Sequence, residues 1–375
     1  MRVSNLAACV LGCTLLELGL PAPGLAANAQ DGADIVSGEL GRALDVLADT
    51  FVEEGFSGAL LVAKDGEVVL QKGYGFADRE KKLTVSSETV FDIGSITKQF
   101  TAAAILTLEM QGKLSTSDRI GKYFGKVPRD KRKITLHRLL THTAGLRDVF
   151  GPDYREMTRD QIIERAMSGT LKYEVGEQYF YSNAGYSLLG AIVELVSGQP
   201  YETYLRETLF LPAGMHDTGY RLPDWPEEQL AVGYDETGRR WGTPLEKLWD
   251  TDGPYWNLRA NGGILSTVGD MYRWHLALQG EAILSPGAKA KLFARHVPED
   301  DSGRSHYGYG WAITDTRRDT TLISHNGGNG VFFADFRHYI DEGVLILEMT
   351  NCTGAYRGRM INGLHRAALG LPSAE

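Results

Sequence analysis

Two blocks of strand-forming sequence stand at opposite ends of this chain, and most of what lies between them has helical spacing. The stretch "FSGALLVAKDGEVVLQKGYGFAD" holds two apolar runs joined at Lys64-Asp65-Gly66, a turn signal that folds neighbouring strands back on each other. Far downstream come "YGYGWAITDT", "TTLISHNG", "GVFFADFRH" and "EGVLILEMTN". Between the blocks, "ITLHRLLTHTAG", "MTRDQIIERAMSG", "NAGYSLLGAIVELVSG" and "TVGDMYRWHLALQG" space their apolar residues as helices do. An amphipathic helix over "GELGRALDVLADTFVEEG" precedes the first block, and another, from about Gly358 to Leu369, follows the last. The expected fold is therefore α+β, an α/β sandwich. One antiparallel β-sheet is built from both chain ends and flanked by helices, with a mostly helical subdomain inserted beside it. Residues 30–113 and 298–375 would form the sheet subdomain and 114–297 the helical one, together a single catalytic domain. A cleft between the two is the natural place for a site.

The first 29 residues differ from the rest: Arg2, an apolar stretch, then small residues around Ala27-Asn28-Ala29. That is the pattern of a secretory signal peptide, so a periplasmic or secreted protein is expected, with no membrane span once the leader is cleaved. Beyond the leader Cys352 stands alone, which leaves no intrachain disulfide and no cysteine metal cluster. A net charge of −9 argues against a nucleic-acid partner, which calls for a basic stripe. No signal for an oligomeric state stands out.

"FDIGSITKQFTAAAILTLEM" places Ser95 after a glycine and Lys98 three residues later, at the start of a helix. Positions i and i+3 share a helix face, and exposed N–H groups at a helix start favour developing negative charge. A serine nucleophile with a lysine neighbour suits that place. So does a serine cap with a solvated lysine. A lysine base also needs a setting that lowers its usual pKa of about 10.4. Tyr181-Ser182-Asn183, just before a helix with Asn183 as a plausible cap, offers a proton partner and an amide; Tyr255-Trp256-Asn257 repeats the pattern. His325-Asn326-Gly327-Gly328 ends a strand and could bring a bare backbone N–H to a substrate; His306-Tyr307-Gly308 is its rival.

Ser-x-x-Lys, Tyr-x-Asn and His-x-Gly in this order resemble the serine β-lactamase and penicillin-binding-protein superfamily, in its class C β-lactamase-like branch of esterases and D-peptidases. "FDIGSITKQFTA", "ITLHRLLTHTAGL", "YSNAGYSLLGAIVE", "RANGGILSTVGDMYRW" and "YGYGWAI" extend the resemblance from about Phe56 to Asn351. It selects Tyr181 over Tyr255 and His325 over His306. It implies that Ser95 forms an acyl-enzyme and that Lys98 and Tyr181 share the proton transfers. Asn183 would contact the substrate or hold Lys98, and His325 would line the cleft near Tyr181 and hydrogen-bond it or the substrate. Asn326, Gly327 and Gly328 would border the substrate, with the N–H groups of Ser95 and Gly328 holding the oxyanion. No metal or organic cofactor is implied. Many true β-lactamases carry lysine where His325 stands, so small esters, amides or D-amino-acid peptides are favoured over β-lactams, with weak β-lactam turnover allowed. The alternative is a penicillin-binding sensor that acylates with little turnover. Three further features point elsewhere. Trp225, Trp241, Trp249 and Trp256 suit loop anchors better than a pocket wall. His137 and His142, five apart, face differently and lack a third ligand. The chain has no Gly-x-Ser-x-Gly, which sets aside an α/β-hydrolase esterase.

Overall fold

Asp65 and Gly66 both take positive φ, 51° and 83°, in a two-residue turn whose twist matches that of the strands it joins. In this computed structural model, which describes residues 32–372 and so leaves the leader outside, the turn connects β2 (Gly58–Lys64) to β3 (Glu67–Tyr74). A short β1 (Ile35–Val36) precedes them. The C-terminal block supplies β4 (Val297–Pro298), β5 (Ser305–Tyr307), β6 (Ala312–Asp315), β7 (Thr321–Gly328), β8 (Phe333–Tyr339) and β9 (Val344–Thr350). All nine form one antiparallel sheet in the order β1-β3-β2-β9-β8-β7-β6-β5-β4. The two ends of the chain meet at its centre, where β9 runs beside β2 from Val344 opposite Lys64 to Thr350 opposite Gly58.

Alternation along β2 separates the two layers. Leu60 and Val62 face α1 (Gly38–Val52) and α5 (Arg357–Ala368), whose Leu44, Phe51, Met360 and Leu364 complete one apolar cluster. Ala59, Leu61 and Ala63 face the larger cluster around α2 (Thr97–Met110). That helix is buried on all sides from Thr97 to Leu108, as its run of alanines permits. The inserted block leans on it through α3 (Asn183–Ser197), while α4 (Val268–Gln279) joins the same cluster. Of the four tryptophans singled out above, Trp225, Trp249 and Trp256 are buried. Trp241 is half-buried, its ring 5.9 Å from Tyr154 and 5.7 Å from Phe332.

"YGYGWAITDT" does not form the unbroken strand its composition suggests. The ladder stops at Tyr307 and resumes at Ala312. Gly310, at φ 75°, passes so close to α2 that a Cβ there would lie 2.7 Å from the Lys98 carbonyl oxygen. The break makes room for the helix that carries Lys98.

A pair of buried carboxyls crosses β8 and β9, where Asp335 stands opposite Glu348. Arg337 Nε donates to Asp335 at 2.7 Å. Burial, and then the Asp335 charge, push Glu348 up to about 8, so it folds as the neutral acid. The unfolded chain releases that proton near pH 4.3. Between there and about pH 8 the native state holds more protons, and stability falls as pH rises. Glu348→Gln should remove that loss. Urea titrations at pH 5 and pH 8.5 should show the variant gaining on wild type by at least about 1 kcal/mol across the interval. An equal difference at both pH values would mean that Glu348 is not protonated in the fold.

Candidate active site

Ser95 sits on one 3-10 turn, Gly94–Ile96, between the short strand Phe91–Asp92 and α2. Its side chain makes no cap bond, so the capping role open in the sequence is not taken. Gly94 turns the chain at φ 51°, and a Cβ on it would strike the Gly328 nitrogen. The turn that carries Ser95 thus lies directly against the end of β7. Asp92 ties the two together: it accepts from the Gly94 N–H at 2.7 Å and from Asn329 Nδ2 at 3.0 Å, and burial pushes it up to about 6.

Lys98, one turn later, is fully buried. Its Nζ lies 2.7 Å from Asn183 Oδ1, 2.6 Å from the Asn261 carbonyl oxygen and 3.0 Å from Ser95 Oγ. The first two atoms can only accept hydrogen bonds; the hydroxyl can also donate. A neutral amine therefore spends its two N–H bonds on the asparagines and turns its lone pair to Ser95. Burial lowers Lys98 to about 7, against a smaller opposing pull from Asp148 and Asp153.

Each asparagine is held in turn. Asn183 is not the helix cap. Ser182 is, its Oγ accepting from the Gly185 N–H at 3.1 Å, which frees the Asn183 amide. Asp148 accepts from Asn183 Nδ2 at 2.9 Å and so points Oδ1 at Lys98. Asn261 follows Ala260, which has φ 70°, and its own amide donates to Ser187 Oγ and the Asn257 carbonyl, both at 2.8 Å.

Tyr181 lines the same cleft as Ser95. Its ring lies under Lys98 Nζ, 4.7 Å from the centroid, and against His142 at 4.3 Å. Burial raises the phenol well above its ordinary value, so it remains protonated. His142 accepts the Ser182 N–H at Nδ1, 3.0 Å away, and fixes this segment from behind. His137 pairs instead with the Tyr309 hydroxyl at 2.8 Å.

His325 lines the cleft near Tyr181 but makes no hydrogen bond to it among the described residues. Its ring centroid is 6.4 Å from that of Tyr181, but its hydrogen bonds go elsewhere. Nδ1 lies 2.6 Å from the Asn326 carbonyl oxygen, an acceptor, so that nitrogen carries the proton. Nε2 lies 2.9 Å from the Tyr307 hydroxyl. Burial and the nearby Lys98 hold the ring neutral, down to about 3. The rival motif His306-Tyr307-Gly308 thus contributes its tyrosine to the histidine that the resemblance selected. Tyr255, the other rival, packs in a separate cluster with Met157 and Trp256.

Ser95, Tyr181, His325, Asn326, Gly327 and Gly328 line one cleft of about 350 Å³, together with Tyr179, Glu299 and Tyr307. A larger cavity, about 490 Å³ between α4 and the sheet, is lined by none of these groups. A serine and a phenol lining a cleft, with a buried amine against the serine and two close backbone segments beside it, is an arrangement that can carry out acyl transfer. Among the described residues, no helix is long and apolar enough to cross a membrane.

The family model described as Beta-lactamase matches residues 44–369. Penicillin-binding protein 4* of Bacillus subtilis is 28% identical over 324 residues, 82% of this chain and 71% of that protein. The chain spans under two thirds of the length of other curated relatives. Among solved structures, an octameric penicillin-binding protein homologue from Pyrococcus abyssi superposes with a TM-score of 0.76 at 28% identity, covering 90% of this chain and 78% of that one. The D-amino acid amidase of Ochrobactrum anthropi SV3 shares the fold with a TM-score of 0.74 at 24% identity, over 88% of this chain and 97% of the other.

Proposed function

The chain belongs to the Beta-lactamase family, serine hydrolases of the β-lactamase fold, and we propose that it cleaves small esters or amides, including amino-acid amides and peptides, through an acyl-enzyme on Ser95. One observation carries this reading: Lys98, buried and, among the described residues, unpaired with any carboxylate, has two acceptors for its N–H bonds and a third contact, Ser95 Oγ, left for its lone pair. In the proposed cycle Ser95 Oγ attacks the carbonyl carbon while its proton passes to Lys98 Nζ. The N–H groups of Ser95 and Gly328 stabilise the oxyanion. As the tetrahedral intermediate collapses, the C–N or C–O bond breaks and the leaving group takes a proton by way of Tyr181, which recovers one from Lys98. Water then attacks the ester with the same pair reversed, which frees the acid and restores Ser95. Asn183 and Asn261 orient Lys98, and His325 with Tyr307 shapes the wall opposite.

A neutral His325 offers no fixed positive charge to a β-lactam carboxylate, which supports esters and amides as the better substrates. The leader supports export to the periplasm or beyond. The test is a panel of a chromogenic ester, an aminoacyl anilide and a chromogenic cephalosporin, read across pH. The ester and anilide should turn over fastest. Lys98 must be unprotonated to act, so kcat/KM should rise through about pH 7 and fall roughly tenfold per unit below it. A rate that falls above pH 7 would remove Lys98 as the base. A stoichiometric burst with no further turnover would favour the sensor.

A further inference from the structure

We infer that Glu299 makes the cleft selective for substrates that carry a free ammonium group near the scissile carbonyl, such as unblocked aminoacyl esters and amides. The inference rests on the hydrolase reading of Ser95 and names its substrate class.

Glu299 lines the same cleft as Ser95 and Tyr181, and that lining contains no lysine or arginine. Its Oε1 accepts from the Tyr179 hydroxyl at 3.2 Å, and its Oε2 from the Ser305 hydroxyl. Both donors are neutral. They fix the carboxylate without cancelling its charge, and among the described residues no cation pairs with it. Glu299 lies close enough for its field to help keep Tyr179 and Tyr181 protonated. Asp148 and Asp153 add negative charge near Lys98, whose own amine burial lowers to about 7. The cleft therefore repels a carboxylate and attracts a cation. An ammonium brings three donors to a carboxylate that still has free lone pairs. Acylating the amine would delete the charge and leave one of the three N–H donors that Glu299 can use.

Calorimetry on the Ser95→Ala protein tests this without depending on turnover. Both enantiomers of alaninamide would be titrated beside N-acetylalaninamide. The free-amine form of at least one enantiomer should bind about tenfold tighter than its N-acetyl counterpart, the scale of one charge contact. Glu299→Gln, which keeps shape and removes charge, should erase that ratio. Glu299→Lys should turn preference toward N-succinyl-alaninamide, which carries a carboxylate. In otherwise wild-type enzyme, Glu299→Gln should lower the ratio of kcat/KM for free over N-acetylated aminoacyl anilide, mainly through KM. An unchanged ratio in Glu299→Gln, or a preference for the N-acetyl compound in the parent, would overturn the assignment. Failure of the hydrolase reading would show separately, as ester hydrolysis that survives Ser95→Ala.

Discussion

Ser95→Ala is expected to lower kcat/KM on a good ester at least about a thousand-fold, and Lys98→Met to do nearly the same. The double variant should be no worse than the poorer single, because the two side chains act as one device. A hydroxyl without its base is a weak nucleophile, and a base without its hydroxyl has nothing to deprotonate. Lys98→Met also replaces a buried amine by an apolar chain of similar length, so the fold should survive. Melting temperature would confirm this. The measurement is a double-mutant cycle on kcat/KM. Additive losses would mean that Lys98 works independently of Ser95, as a structural prop would. Retention of wild-type rates by Ser95→Ala would displace the nucleophile.

Gly327→Ala is the second large effect. A Cβ at that position would run into the carbonyl oxygen of Ile93 and the nitrogen of Ser95. Those atoms belong to the turn that carries Ser95, which Asp92 already clamps to the Asn329 corner. With backbone on both sides, neither surface can yield by a rotamer change. The strand end must move away from Ser95, at a cost of about 2 kcal/mol or more in stability. A shift of a few tenths of an ångström at the oxyanion donors should lower kcat at least about a hundredfold. Gly358→Ala, in open space on α5, is the control and should hold stability within about 1 kcal/mol with no change in kcat. If Gly327→Ala behaved like the control, the close packing of β7 against Ser95 would not matter to the reaction.

The parts of the site that the sequence displayed are those whose role belongs to a side chain in a short local pattern. Ser95 with Lys98, Tyr181 with Asn183, and His325 with its glycines are of that kind. The strands β2, β7, β8 and β9 were likewise legible, because each is a short strand-forming run bounded by turn residues; the central pair β2 and β9 is buried on both faces. What escaped has a physical reason. The Asn261 group that meets Lys98 is a backbone carbonyl, and every residue has one. Asp92 and Asp148 are two among 48 acidic residues, and only the folded chain shows that they brace the site. The Asn183 cap was misplaced by one residue because Ser182 and Asn183 are both good caps. Only the bond to the Gly185 N–H distinguishes them. Tyr307 was visible within a competing motif, but its meeting with His325 depends on how β5, β6 and β7 fold back on one another.

The central seam between β2 and β9 has a consequence for the life of the chain. Ser95 and Lys98 precede β7, β8 and β9 in the sequence. A chain cut before Thr321 carries the serine and its amine without the strand that packs against them. On the proposed mechanism such a fragment is chemically idle, and a proteolytic clip between the two halves of the site would disarm the protein while sparing its serine.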